Sequence, residues 1–207
     1  MMRITAKFCI FLILIIVPAW AQNRLAEPSP AVVGPAYNFS TGYSYLAMPL
    51  AGAGQAHLNG MDASGSMAWS PRWAATVDTN YFRTSNVSGT GHGAYVLNTQ
   101  CGPEFSLFER EKNRLFVRAL GGSALVDGAI PAKAGFYHGW LVRPSFTAGG
   151  GFEQSVSPQF ALRINGDYLR TLFYGSGSAV LPQNNLRLTV SLVVRVRRGR
   201  GRVERGW

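Results

Sequence analysis

From Leu186 to Val196 every even position is aliphatic, while the odd positions hold Arg187, Thr189, Ser191, Val193 and Arg195. A period of two sends alternate side chains to opposite faces, so this run predicts a strand with one apolar face. Phe160 to Tyr168 repeats the pattern, with Arg163, Asn165 and Asp167 on its odd positions. Both runs exceed the ~5–6 residues usual in globular sheets. They match the ~9–11 residues that a tilted strand needs to cross a bilayer. Similar patterning predicts strands at 36–46, 57–69, 73–83, 94–106, 115–126 and 140–153, eight in all. Their connections alternate in length. Ser70-Pro71-Arg72, a polar turn from Glu109 to Asn113, and Ser155 to Gln159 are short; 47–56, 84–93, 127–139 and 172–185 are longer and rich in Gly, Ala, Ser and Pro. The predicted class is all-β: an eight-stranded, antiparallel, up-and-down transmembrane β-barrel with short periplasmic turns and long extracellular loops.

Charge placement follows the same alternation. In each strand, the parity that turns most aromatic and aliphatic side chains outward places Asp62, Asp78, Glu104, Arg118, Arg143, Glu153, Arg163, Asp167, Arg187 and Arg195 inward. The pairs 143 and 153, 163 and 167, and 187 and 195 each share a parity, which a register with one charge-free face requires. Five acids and five arginines thus form the expected lumen charge network. An internal repeat agrees. Ser70-Pro71-Arg72-Trp73-Ala74 through Arg83-Thr84 aligns without gaps to Ser157-Pro158-Gln159-Phe160-Ala161 through Arg170-Thr171 at an offset of 87, and the inward parity switches from even to odd as an odd offset demands. Trp69 and Trp73 flank one short turn, while Tyr43, Tyr45, Tyr81 and Tyr168 fall near the long-loop ends, so these aromatics predict two interface girdles. Arg83 and Arg170 lie just beyond the loop-side girdle, where they either snorkel into water or meet lipid phosphates.

Composition narrows the reading. The 207-residue chain is 47% hydrophobic and 14% charged with 24 glycines, which excludes a coiled coil, a collagen and a disordered tail. A net charge of +10 ordinarily raises nucleic acid or an anionic surface as partner. Here much of it is terminal, in Arg3 and Lys7 and in Arg197, Arg198, Arg200, Arg202 and Arg205, so no nucleic-acid partner is expected. Residues 1–21 read as a signal peptide: Arg3 and Lys7 precede an apolar run from Phe8 to Val17, Pro18 ends it, and Ala19-Trp20-Ala21 supplies a cleavage pattern between Ala21 and Gln22. The run is shorter than the ~18 apolar residues of a membrane anchor. A short periplasmic segment, 22–35, then leads into the barrel, 36–196, and a basic tail, 197–207, expected to be solvated. Loss of Cys9 with the leader leaves Cys101 alone, a lipid-facing filler that forms neither an internal disulfide nor a zinc-type cluster.

Gly42-Tyr43-Ser44-Tyr45, Cys101-Gly102-Pro103-Glu104-Phe105, Gly149-Gly150-Gly151, Asp167-Tyr168-Leu169-Arg170-Thr171 and Gln183-Asn184-Asn185-Leu186-Arg187, in that order and spacing, give the chain its resemblance to the small eight-stranded outer-membrane β-barrels, the outer membrane protein A-like barrels of Gram-negative bacteria. The resemblance spans residues 36–196 and implies fold and location more than activity. It implies a cell outer-membrane site, outer-membrane lipids including lipopolysaccharide as surroundings, and the barrel-assembly machinery for insertion. Family members commonly close the last strand on an aromatic residue, whereas here it closes on Val196.

No chemistry is legible. His57, His92 and His138 fall in loops or at strand ends, without a serine or carboxylate spaced to share a strand face. The lipid A deacylases, an enzymatic barrel family, carry His-x-Ser on a late strand, and this sequence has no such pair. No catalytic, cofactor or metal residues are therefore expected. Three classes of function remain: a barrel with a structural, envelope-integrity or surface-interaction role and a lumen plugged by paired charges; a small pore or transport-associated barrel; and a soluble lipocalin-like binder. Parity is symmetric under inversion. What favours the bilayer is a charge-free apolar face with aromatics at its rims, too large to hide inside eight strands.

Overall fold

The computed structural model describes residues 36–50, 54–87, 91–132, 135–176 and 179–197. The expected leader, the 22–35 segment and the tail beyond Arg197 lie outside them. Eight strands follow in order: β1 (Ala36–Leu50), β2 (Gly54–Ala68), β3 (Trp73–Thr84), β4 (Ala94–Arg110), β5 (Asn113–Ala132), β6 (Gly135–Ser155), β7 (Phe160–Ser176) and β8 (Ala179–Arg197). Each pairs antiparallel with the next, and β8 returns to β1, with Ala36 opposite Arg197 and Tyr45 opposite Leu188, so the sheet closes into a barrel. Closure leaves no unpaired strand edge, which is the condition for placing a sheet in hydrocarbon.

The alternation decides which side chains enter the lumen. In β3, Ala74, Thr76, Asp78, Asn80 and Phe82 are buried, whereas Trp73, Val77 and Tyr81 are exposed. Buried positions are even in β3 and odd in β7, as the odd repeat offset requires. The repeated Ser-Pro turns also share a geometry. The Trp73 N–H donates to Ser70 Oγ at 3.0 Å, and the Phe160 N–H donates to Ser157 Oγ at 3.0 Å. Each serine thus caps the strand that begins three residues later. In β4 the register shifts between Ser106 and Phe108, which lets Leu107 and Phe108 both face outward.

Several strands run past the ends that patterning predicts. β5 and β6 remain paired out to Ala132 and Gly135, and β7 and β8 to Ser176 and Ala179, so most of 127–139 and 172–185 is hairpin. Backbone pairing persists there without the strict apolar alternation that a bilayer imposes and that the sequence pattern detects.

Candidate functional site: the charged lumen

The lumen is layered. Nearest the short turns, Glu104 on β4, Arg114 on β5, Glu153 on β6, Arg163 on β7 and Arg195 on β8 converge. Arg163 donates from Nε and Nη2 to Glu153 Oε2 at 3.0 and 2.6 Å, and Arg195 Nη2 donates to Glu153 Oε1 at 2.5 Å. Arg114 Nη2 donates to Glu104 Oε1 at 2.7 Å. Phe116 lies among these cations, its ring centroid 4.9 Å from Arg163 Cζ and 5.2 Å from Arg114 Cζ. The ring face offers the guanidinium planes an attractive surface that asks for no further hydrogen bonds.

Above this layer, Arg118 grips Asp167 with two hydrogen bonds, Nε to Oδ1 at 3.1 Å and Nη2 to Oδ2 at 2.7 Å. Arg187 bridges two acids, donating from Nε to Asp167 Oδ2 at 3.0 Å and from Nη2 to Asp78 Oδ2 at 2.8 Å. All four side chains are essentially sealed from solvent. Glycine makes the room: a Cβ on Gly149 would fall on Asp167 Oδ1, and one on Gly151 would fall on Asn165 Oδ1 and within 2.7 Å of Phe116 Cζ. The triple glycine of β6 is thus a recess for its neighbours' side chains.

Higher still, neutral groups replace charges. Gln100 Nε2 donates to Ser145 Oγ at 2.9 Å, Ser145 Oγ to Asn98 Oδ1 at 2.7 Å, and Thr147 Oγ1 to Gln100 Oε1 at 2.6 Å. At the loop end the lumen turns apolar: Leu46, Met48, Leu58, Phe82, Val96, Val126, Leu169 and Phe173 pack together, and Val87, from the segment after β3, is buried among them. Patterning treats the whole inward face as polar, and this apolar layer is absent from that reading.

The structure brings together nine of the ten charges assigned inward by sequence, and Arg143 is the exception. It lies on the inward register of β6 opposite Ala124, beside the apolar layer, and forms no ion pair among the described residues. Asp62 joins none either, although it is buried next to Asp78. Arg114 takes a place that patterning missed, because the predicted strand starts one residue after it; its shared parity with Arg118 is the signal that would have found it.

Outside, Trp73 packs between Trp69 and Phe105, with centroids 6.5 and 4.8 Å away, at the turn end. At the loop end, Tyr81 stacks on Tyr95 at 6.4 Å and Arg83 Cζ lies 5.8 Å over the Tyr95 ring. Tyr43 donates to Asn59 Oδ1, Tyr45 stacks on His57 and its hydroxyl meets Nδ1, and Tyr168 donates to Asn184 Oδ1 at 2.5 Å. In each pair the tyrosine reaches two residues back from its direct cross-strand partner, the diagonal neighbour that long side chains can span. Arg170 is exposed beyond Tyr168.

No family model and no curated protein matches the sequence. Solved structures do match the fold. Ail, the attachment invasion locus protein of Yersinia pestis, superposes with a TM-score of 0.55 at 13% identity, covering 78% of this chain and 98% of that one. Neisserial surface protein A gives 0.55 at 12% identity with the same coverage. The barrel has the fold of small outer-membrane proteins. The outer membrane protein OprG of Pseudomonas aeruginosa gives 0.52 at 8% identity, covering 79% of this chain and 96% of that one, so this eight-stranded architecture matches structures with few residues in common.

Proposed function

We propose that the chain is an integral outer-membrane barrel of a Gram-negative envelope, exported through a cleaved leader, with a structural, envelope-integrity or surface-interaction role and a plugged lumen. The supporting observation is the filling of the lumen: two layers of paired charges, an amide and hydroxyl layer, and the apolar layer sealed by Val87. An eight-stranded barrel is just wide enough for side chains to fill, and the arginine–carboxylate pairs compensate one another's burial. Its surroundings are outer-membrane lipids including lipopolysaccharide, whose phosphates Arg83 and Arg170 would meet, and its insertion falls to the barrel-assembly machinery. No catalytic role is proposed.

Two measurements test this reading. The mature chain folded into detergent micelles should migrate faster unboiled than boiled and show a β-rich circular dichroism spectrum; a water-soluble β-protein obtained without detergent would overturn the membrane assignment. In planar bilayers the folded protein should stay silent. Steady, large single-channel currents would overturn the plug and favour the pore.

A further inference from the structure

The two charged layers do not balance. The layer near the turns sets Arg114, Arg163 and Arg195 against Glu104 and Glu153, and its surplus cation reaches the mouth, where Arg195 and Arg114 keep 21% and 13% side-chain exposure. The layer above sets Arg118 and Arg187 against Asp62, Asp78 and Asp167, and its surplus acid is sealed in. Asp62 is 2% exposed, and no arginine nitrogen lies within ion-pair distance of it among the described residues. Asn80, directly opposite on β3, is fully buried, and neither polar atom of its amide finds a hydrogen-bond partner. Asp62 Oδ2 and Asp78 Oδ1 are likewise unpartnered, although Asp78 Oδ2 is held by Arg187. Directly opposed residues on antiparallel strands hold their Cβ atoms ~4.5–5.5 Å apart, and Asp78 precedes Asn80 on the same face. Three oxygens with no donor thus face one small region between two guanidinium groups.

We propose that Asp62, Asp78 and Asn80 form a buried site for a monovalent cation of sodium's size. One positive charge cancels the surplus acid, whereas a divalent ion would leave a net positive charge beside Arg118 and Arg187. Calcium also asks for six to eight oxygens. A proton would neutralise Asp62 and leave the Asn80 carbonyl without a partner. The donors are hard oxygens throughout, which disfavours metals that prefer thiolate or imidazole.

The test is thermal unfolding of the full folded barrel in detergent, with sodium chloride titrated against choline chloride at constant ionic strength. A ligand that binds only the folded state raises the midpoint with its concentration. The midpoint should climb with sodium and lie flat in choline alone, and Asp62→Asn should abolish the climb. Equal midpoints in the two salts would overturn the site and leave the three oxygens to water or a proton. A sodium response that survives Asp62→Asn would overturn its location. Should that variant not fold, Asn80→Ser, which removes one oxygen ligand and no charge, should weaken the response; an unchanged response would again overturn the location.

Discussion

Arg163 places its guanidinium carbon 4.9 Å from the centroid of Phe116 while donating twice to Glu153. One side chain therefore ties three strands, β5, β6 and β7, across the lumen. Truncating it would leave Glu153 with Arg195 as its remaining hydrogen-bond donor and remove the nearby charge from Glu104. Breaking a buried pair from one side costs about 3–5 kcal/mol. Arg163→Ala should accordingly lower the temperature at which the compact gel band converts to the unfolded one, and an unchanged temperature would count against the network.

Gly151 offers a steric test with no change of charge. A methyl group there would press on the Ile164 carbonyl oxygen, 2.7 Å from the ideal Cβ, and backbone cannot swing aside as a side chain can. Overpacking of this kind costs about 1–3 kcal/mol. Gly151→Ala should shift the urea midpoint downward by a corresponding amount, whereas Gly65→Ala, with the Phe39 ring 3.7 Å away, should be tolerated.

The apolar layer predicts a different loss. Phe82 is fully buried within it, and Phe→Ala changes in packed interiors cost about 3–5 kcal/mol. Phe82→Ala should destabilise the barrel by that order in equilibrium denaturation, yet stay silent in planar bilayers because the charged layers remain. Conductance from this single variant would show that the apolar layer alone closes the lumen.

Cys101 reports on the outer face. It is exposed on β4 opposite Val77 and Gly121. A nitroxide attached there in the lipid-reconstituted protein should collide readily with dissolved oxygen and poorly with a water-soluble nickel reagent. The reverse preference would place this face in water.

The strand count, the barrel class and the inward parity were legible in the sequence because a bilayer enforces alternation on every strand that crosses it. Arg187 and Arg195, or Arg163 and Asp167, announce their common face by spacing alone. Patterning could not say which charges meet. Arg187 reaches Asp78 across 109 positions of chain, a contact set by the stagger of the closed sheet, and Arg143 shares the parity without sharing the network. The apolar layer was hidden for a similar reason: Phe82, Val96 and Val126 read as ordinary alternating residues until register brings them to one height. The tyrosine diagonals needed register too, since neither Asn59 nor Asn184 carries a signal of its own.

The Ser-Pro repeat has a mechanical consequence. β3 and β7 stand four places apart in a ring of eight, so they occupy opposite walls. Each begins at a serine-capped turn with an aromatic ring, Trp73 or Phe160, and carries a tyrosine eight residues on and an arginine two beyond that. At ~3.3 Å per residue, the aromatic pair on each wall spans about 26 Å along the strand. Two such matched rulers across a diameter hold the cylinder like a shaft in paired bearings. A lean that sinks one tyrosine and arginine deeper lifts the other pair out, so the lean meets resistance from both sides.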